Sequence, residues 1–192
     1  MNIILASGSP RRHEILHDAG IDHVVKPASA DETLPEGITP KEAVLMLARR
    51  KAEAAVAENS PIPDGTVIVA ADTLVACRGE IYGKPADRDD AFRMISSMTG
   101  GLHAVLTGVC VTDGKDYLCE VEESLVYMRE AEDSEIYSYI DRFEPYDKAG
   151  AYGIQEAAGL FVSRIEGDYS NIVGLPLCRT GLMLKKFGVK LF

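Results

Sequence analysis

The residues able to do chemistry in this chain are carboxylates and cations placed on loops beside apolar runs. They are Arg11 and Arg12, Glu32, Lys51, Asp72, Lys84, the Asp147-Lys148 pair and the amide of Gln155. In a chain of formal net charge −10, such a local mixture suits a polyphosphate held with a divalent metal. Hard carboxylate oxygens bind that kind of ion, which keeps waters and shares phosphate oxygens. Arg and Lys neutralise charge developing on a leaving group, and a carboxylate can orient or deprotonate the attacking water. Asp72 is the first candidate for that base. It follows Val67-Ile68-Val69-Ala70-Ala71, a run bounded by Gly65 that reads as a buried strand covered on both faces. The hydrophobic run breaks off at Asp72, and strand ends bordering a crevice are where open α/β sheets bind ligands. An Asp at such a point also serves as a plain turn former or helix cap.

The elements that must position these groups follow from periodicity and punctuation. Asn2–Ala6 reads as a strand, and Ser9 and Pro10 as the cap and first residue of a helix running to about Gly20. The Ser7-Gly8-Ser9 turn between them is a natural anion site, because free N–H groups and the helix dipole both favour negative charge. Arg11 and Arg12 oppose that dipole unless an anion lies between them and the helix end; otherwise they are two solvated arginines. Glu32 belongs to an acidic loop, either an exposed linker or a source of a metal-binding carboxylate. Pro40–Glu58 is a helix capped by Thr39, and its Arg49-Arg50-Lys51 cluster is a solvated face from which Lys51 could turn toward an anion. Leu74–Cys77 and Glu80–Tyr82 suggest a hairpin, after which Lys84 is pinned between Gly83 and Pro85. Helices are expected over Asp87–Met98, Ser134–Arg142 and Leu177–Lys186, and strands over Leu102–Thr112, Tyr117–Arg129 and Leu160–Ile165. Between them, Pro145–Gln155 has two glycines and a proline among charged and amide groups, a loop shaped around something.

Composition narrows the classes. With 192 residues, 46% of them apolar, the chain can form one substantial domain or two lobes sharing a core. Its acidity disfavours non-specific binding to nucleic acid or anionic membranes. No signal peptide and no apolar stretch long enough to cross a bilayer is evident. Cys77, Cys110, Cys119 and Cys178 form no C-x-x-C pair, which points to reduced thiols in a cytosolic protein rather than a disulfide framework or zinc ribbon. Two motifs look informative and fail on context. His13-Glu14-Ile15-Leu16-His17 through His23 matches the H-E-x-x-H-x-x-G-x-x-H zinc-protease pattern, but only twelve residues precede it, too few for a substrate-binding sheet. Gly79 through Pro85 imitates a P-loop, one residue short and with Pro where Ser or Thr would hold magnesium.

Five segments taken together are more specific than any one. Ser7–Arg12, Ala71-Asp72-Thr73, Gly83-Lys84-Pro85, Asp147–Gln155 and Asn171–Pro176 closely resemble, in order and over essentially the whole chain, the Maf (septum-formation inhibitor) family. That resemblance implies a single Maf-like domain over residues 1–192, an elongated mixed-sheet α/β fold like that of inosine-triphosphate pyrophosphatases, with a cleft between two lobes. It implies hydrolysis of a nucleoside triphosphate to the monophosphate and diphosphate with magnesium or manganese, in the cytoplasm, and it points to a homodimer. By position, Asp72 resembles the proton acceptor and Arg11, Thr73 and Gln155 the specificity positions. Ser7, Arg12, Lys51 and Lys84 resemble phosphate contacts, and Glu32 with Asp72 the metal carboxylates. Relatives acting on 7-methyl-GTP carry a bulky aromatic at the Arg11 position, Gln at that of Thr73 and Glu at that of Gln155. All three positions here follow the dTTP/UTP branch, where a neutral amide can both donate to and accept from a pyrimidine edge. The competing reading is a nucleotide-binding regulator of cell division that senses without hydrolysing.

Overall fold

The computed structural model describes residues Met1–Leu191. Among them, seven strands and six α-helices form a mixed α/β protein. The strands are β1 (Asn2–Leu5), β2 (Val24–Val25), β3 (Thr66–Cys77), β4 (Glu80–Tyr82), β5 (Leu102–Thr112), β6 (Tyr117–Met128) and β7 (Val162–Glu166). The helices are α1 (Pro10–Asp18), α2 (Pro40–Asn59), α3 (Arg88–Met98), α4 (Asp133–Phe143), α5 (Tyr169–Val173) and α6 (Leu177–Lys186). The sheet order is β2-β1-β3-β5-β6-β7, with β4 paired to β3. β1 is parallel to both β2 and β3, Ile3 lying opposite Val67, whereas β4 and β7 run antiparallel to β3 and β6. No helix among the described residues is long and apolar enough to cross a membrane.

The chain divides into two compact units. The first takes residues 1–72, Thr107–Glu122 and the chain from Gly174; the second takes Thr73–Leu106 and Glu123–Val173. In the first, strand side chains alternate between two cores, as a period of two requires. Ile3, Leu5, Val67, Val69 and Val109 pack with Leu16 of α1 and with Met183 and Leu184 of α6. Ile4, Ile68, Ala70 and Cys110 pack instead with Ala48, Ala52 and Ala55 of α2. Small residues bring that helix unusually close. A Cβ on Gly108 of β5 would lie 2.2 Å from the Val44 carbonyl oxygen of α2, so only glycine fits. A capping box between Thr39 and Glu42 starts α2. The second unit has its own core, in which Val75, Tyr82, Met94, Ile95, Met98, Ile136, Ile140 and Phe161 pack between α3, α4 and their strands.

Two local expectations are corrected, and the cap of α1 is borne out in position but not in its bonding. β3 does not stop at Asp72 but continues to Cys77, because β4 supplies a pairing partner, with Val75 opposite Tyr82. Ser9 occupies the N-cap of α1 without a side-chain cap; its N–H donates instead to Ser7 Oγ at 3.2 Å. The cysteines do not all remain free thiols: Cys110 on β5 and Cys119 on β6 are joined as a disulfide across neighbouring strands, Cα–Cα 4.2 Å, while Cys77 and Cys178 are free.

Candidate active site

The first unit gathers five of the expected site residues. Ser7 ends the extension of β1 and is buried. Arg12, in the first turns of α1, donates through Nη1 to Ser7 Oγ at 3.0 Å and through Nε to the Gly174 carbonyl at 2.8 Å. Burial pulls the Arg12 guanidinium below its ordinary pKa; Asp72 opposes that shift, Arg11 adds to it and Glu32 opposes it. Those four charges therefore share one electrostatic environment.

Lys51 is the hub of the cluster. It projects from the middle of α2, and its Nζ lies 2.6 Å from Asp72 Oδ1 and 2.8 Å from Glu32 Oε1. The neighbours in its basic run do other work: Arg49 pairs with Glu53 at 2.7 Å, one helical turn on. Arg50 donates to the carbonyls of Asp31 and Thr33 at 3.1 and 2.7 Å. Those carbonyls flank Glu32, so Arg50 fixes the loop that presents it. The sequence offered no signal for this beyond adjacency to Lys51.

Asp72 is only 8% exposed, and its Oδ2 is buried with no hydrogen-bond partner among the described residues. A buried carboxylate oxygen left without a donor is costly in a resting protein unless something else completes it. With one oxygen held by Lys51, the other is presented for a water or a cation. Two carboxylates, an ammonium between them and an anchored guanidinium can bind a polyanion and polarise water beside it.

Of the other expected residues, three lie in the second unit and Arg11 in the first. Thr73 follows Asp72 on β3 and is partly exposed; Lys84 and Gln155 are exposed. The Gly83-Lys84 turn is tied to the Lys148–Gln155 loop, since Gly150 N–H donates to the Gly83 carbonyl at 2.9 Å. Gly150 has φ +68° and packs so tightly that a Cβ would lie 2.9 Å from Val75 Cγ2. Arg11 is partly exposed on α1 in the first unit. Sequence reasoning named Lys148 and, within the Asn171–Pro176 segment, Gly174 without giving either a role, and missed the buried His103. His103 Nε2 is 2.7 Å from Tyr152 Oη inside the second core. The histidines of the protease-like pattern do not converge as a zinc site: His13 Nδ1 hydrogen-bonds His23 Nε2 at 2.8 Å, and His17 stacks on His13. Among the described residues, no three His, Cys, Asp or Glu side chains stand grouped to hold a metal.

The architecture is that of a mixed α/β protein whose first unit gathers two carboxylates, an ammonium and an anchored guanidinium. The comparisons with known proteins then place it. The chain belongs to the Maf family: the model described as Maf-like protein matches residues 2–187. A dTTP/UTP pyrophosphatase of Caldicellulosiruptor bescii is 44% identical over 191 residues, covering 98% of this chain and 96% of the relative. That of Acetivibrio thermocellus is 45% identical over 194 residues with the same coverage, and that of Hahella chejuensis 43% identical over 190. Among solved structures, the Ham1 protein of Staphylococcus aureus aligns at 15% identity over 69% of this chain and 73% of its own, with a TM-score of 0.44.

Proposed function

We propose that the chain is a nucleoside triphosphate pyrophosphatase that hydrolyses dTTP and UTP to the monophosphate and diphosphate. Two things support this: relatives near 45% identity carry that name over almost their full length, and the Asp72 carboxylate has the form the reaction needs. The observation that carries the reading is Asp72 itself, with Oδ1 held by Lys51 and Oδ2 buried without a hydrogen-bond partner among the described residues. A water donating to Oδ2 loses its proton there as its oxygen attacks the α phosphorus. One P–O bond forms, the α–β anhydride bond breaks, and the electron pair leaves on diphosphate. Arg12, Lys51 and Lys84 offset the charge on that leaving group, and Ser7 holds the Arg12 fork in position. Arg11, Thr73 and Gln155 read the base, the Gln155 amide supplying both a donor and an acceptor to a pyrimidine edge.

Asp72 and Glu32 are the residues that would hold a magnesium or manganese ion. Two hard carboxylates with one open oxygen fit such an ion, which completes its shell with water and phosphate. Bound there, it would supply Lewis-acid polarisation of the phosphoryl oxygens. We place the enzyme in the cytoplasm, as one Maf-like domain over residues 1–192 and as a homodimer, without nucleic acid as a partner.

The deciding experiment is Asp72→Asn assayed with UTP, dTTP and magnesium for diphosphate release. Turnover should fall by about a thousandfold or more while the melting curve stays native-like. Wild-type turnover in the variant would remove the proposed base. Tight UTP binding with no diphosphate from the wild type would favour the sensing role instead.

A further inference from the structure

Lys148 is only 8% exposed, an expensive place for an ammonium. Its Nζ lies 2.7 Å from Asp147 Oδ1 and 3.3 Å from Glu156 Oε1. Glu156 directly follows Gln155. The stem of Lys148 runs beneath the turn that carries both: a Cβ on Gly153 would stand 3.0 Å from Lys148 Cε and 3.3 Å from the Glu156 carboxyl carbon. The turn closes with Glu156 N–H donating to the Gly153 carbonyl at 3.0 Å. Before the turn, the loop is held by backbone and buried contacts, Gly150 to Gly83 and Tyr152 to His103. Across Gly153–Glu156, the buried ammonium is the group that grips the turn from below.

Stability alone would not favour this arrangement. A buried ammonium gains little net stability from carboxylates that are themselves 60% and 37% exposed, so the pairing serves geometry better than stability. We propose that Lys148 is a positioning residue for base selection: through Glu156 it sets where the Gln155 amide stands. The inference rests on the reading above that Gln155 contacts the base. Uracil and cytosine edges reverse donor and acceptor, and an amide discriminates between them only if its own flip and place are fixed. A Gln155 that wanders or turns over can serve either edge. The same loop meets the Lys84 turn through Gly150, so base and phosphate contacts share one support.

The test measures kcat/KM for UTP and CTP in the wild type, Lys148→Met, Lys148→Arg, Glu156→Gln and Gln155→Ala. Lys148→Met should lower the UTP-over-CTP ratio by about tenfold, mainly through a higher KM for UTP, and Lys148→Arg should recover most of it. Glu156→Gln removes the charge from the same link at its solvent-facing end without emptying a buried site, and should lower the ratio in the same direction; it decides the matter if Lys148→Met does not fold. Loss of selectivity in Gln155→Ala with a wild-type ratio in Glu156→Gln and in folded Lys148→Met overturns the inference and leaves the Gln155 reading standing. A wild-type ratio in Gln155→Ala overturns both.

Discussion

Acid should loosen this protein through one buried imidazole. Desolvation inside the second core pulls the His103 pKa from its ordinary 6.5 to about 4, and Nε2 is committed to Tyr152 Oη at 2.7 Å. Nδ1 is buried with no hydrogen-bond partner among the described residues, so protonation would place a charge where nothing receives it. The unfolded chain takes up that proton near pH 6.5, whereas the folded chain resists until about 4. In between, the unfolded state holds more protons, so stability is complete above pH 6.5 and is lost as pH falls toward 4, with no further loss from this group below that. At about 1.4 kcal/mol per pH unit, the full loss is about 3 kcal/mol, most of it reached by about pH 4.5. Carboxylates titrate over part of the same range, so the measurement must be a difference. Urea unfolding of the wild type and of His103→Gln, each at about pH 7.5 and 4.5, isolates it. The wild type should lose about 2.5 kcal/mol more than the variant between the two conditions. Equal losses would refute the reasoning, since a histidine that keeps an ordinary pKa in the folded state gives no such slope.

Two further outcomes follow from packing. Gly108→Ala forces α2 away from β5, because the new methyl would meet the Val44 carbonyl at 2.2 Å. The cost should be about 3 kcal/mol, seen as a melting temperature lower by roughly 6–12 °C, with activity falling too because Lys51 lies on the same helix. Asn171→Ala should cost about 1–3 kcal/mol in urea unfolding. The Asn171 amide donates to the Val105 carbonyl at 3.0 Å and to Ser124 Oγ at 2.9 Å, both inside the second unit.

Much of the first unit was legible because its signals are local. Asn2–Ala6 read as a strand and the unbroken apolar run Val67–Ala71 as one covered on both faces, and the two cores on either side show why. Thr39 and Pro40 marked the start of α2 by capping chemistry that needs no tertiary partner. What escaped depends on pairing at a distance. Asp72 looked like a strand end because the apolar run falters there, yet β4 carries the ladder past it. Cys110 and Cys119 were each judged by their own surroundings, while the bond between them depends on two strands meeting. Among Arg49, Arg50 and Lys51, sequence singled out Lys51 as the member that could turn toward an anion, but gave neither its two carboxylate partners nor the task of Arg50. Helical phase decides both, turning Lys51 inward to two partners and leaving Arg50 to brace the Glu32 loop. His103 was silent for a similar reason: an isolated histidine in an apolar strand carries no mark of the tyrosine 49 residues later that will meet it.

The grip on Arg12 has a temporal consequence. One of its anchors is the carbonyl of Gly174, 162 residues downstream, at a backbone angle of φ +127° that glycine tolerates best. A ribosome therefore adds this guanidinium 162 residues before its tether. Until that carbonyl arrives, the side chain keeps rotamer freedom that an incoming anion would have to quench, a penalty of up to about 2 kcal/mol. Competence should thus wait on the delivery of Gly174 rather than on that of Arg12 itself.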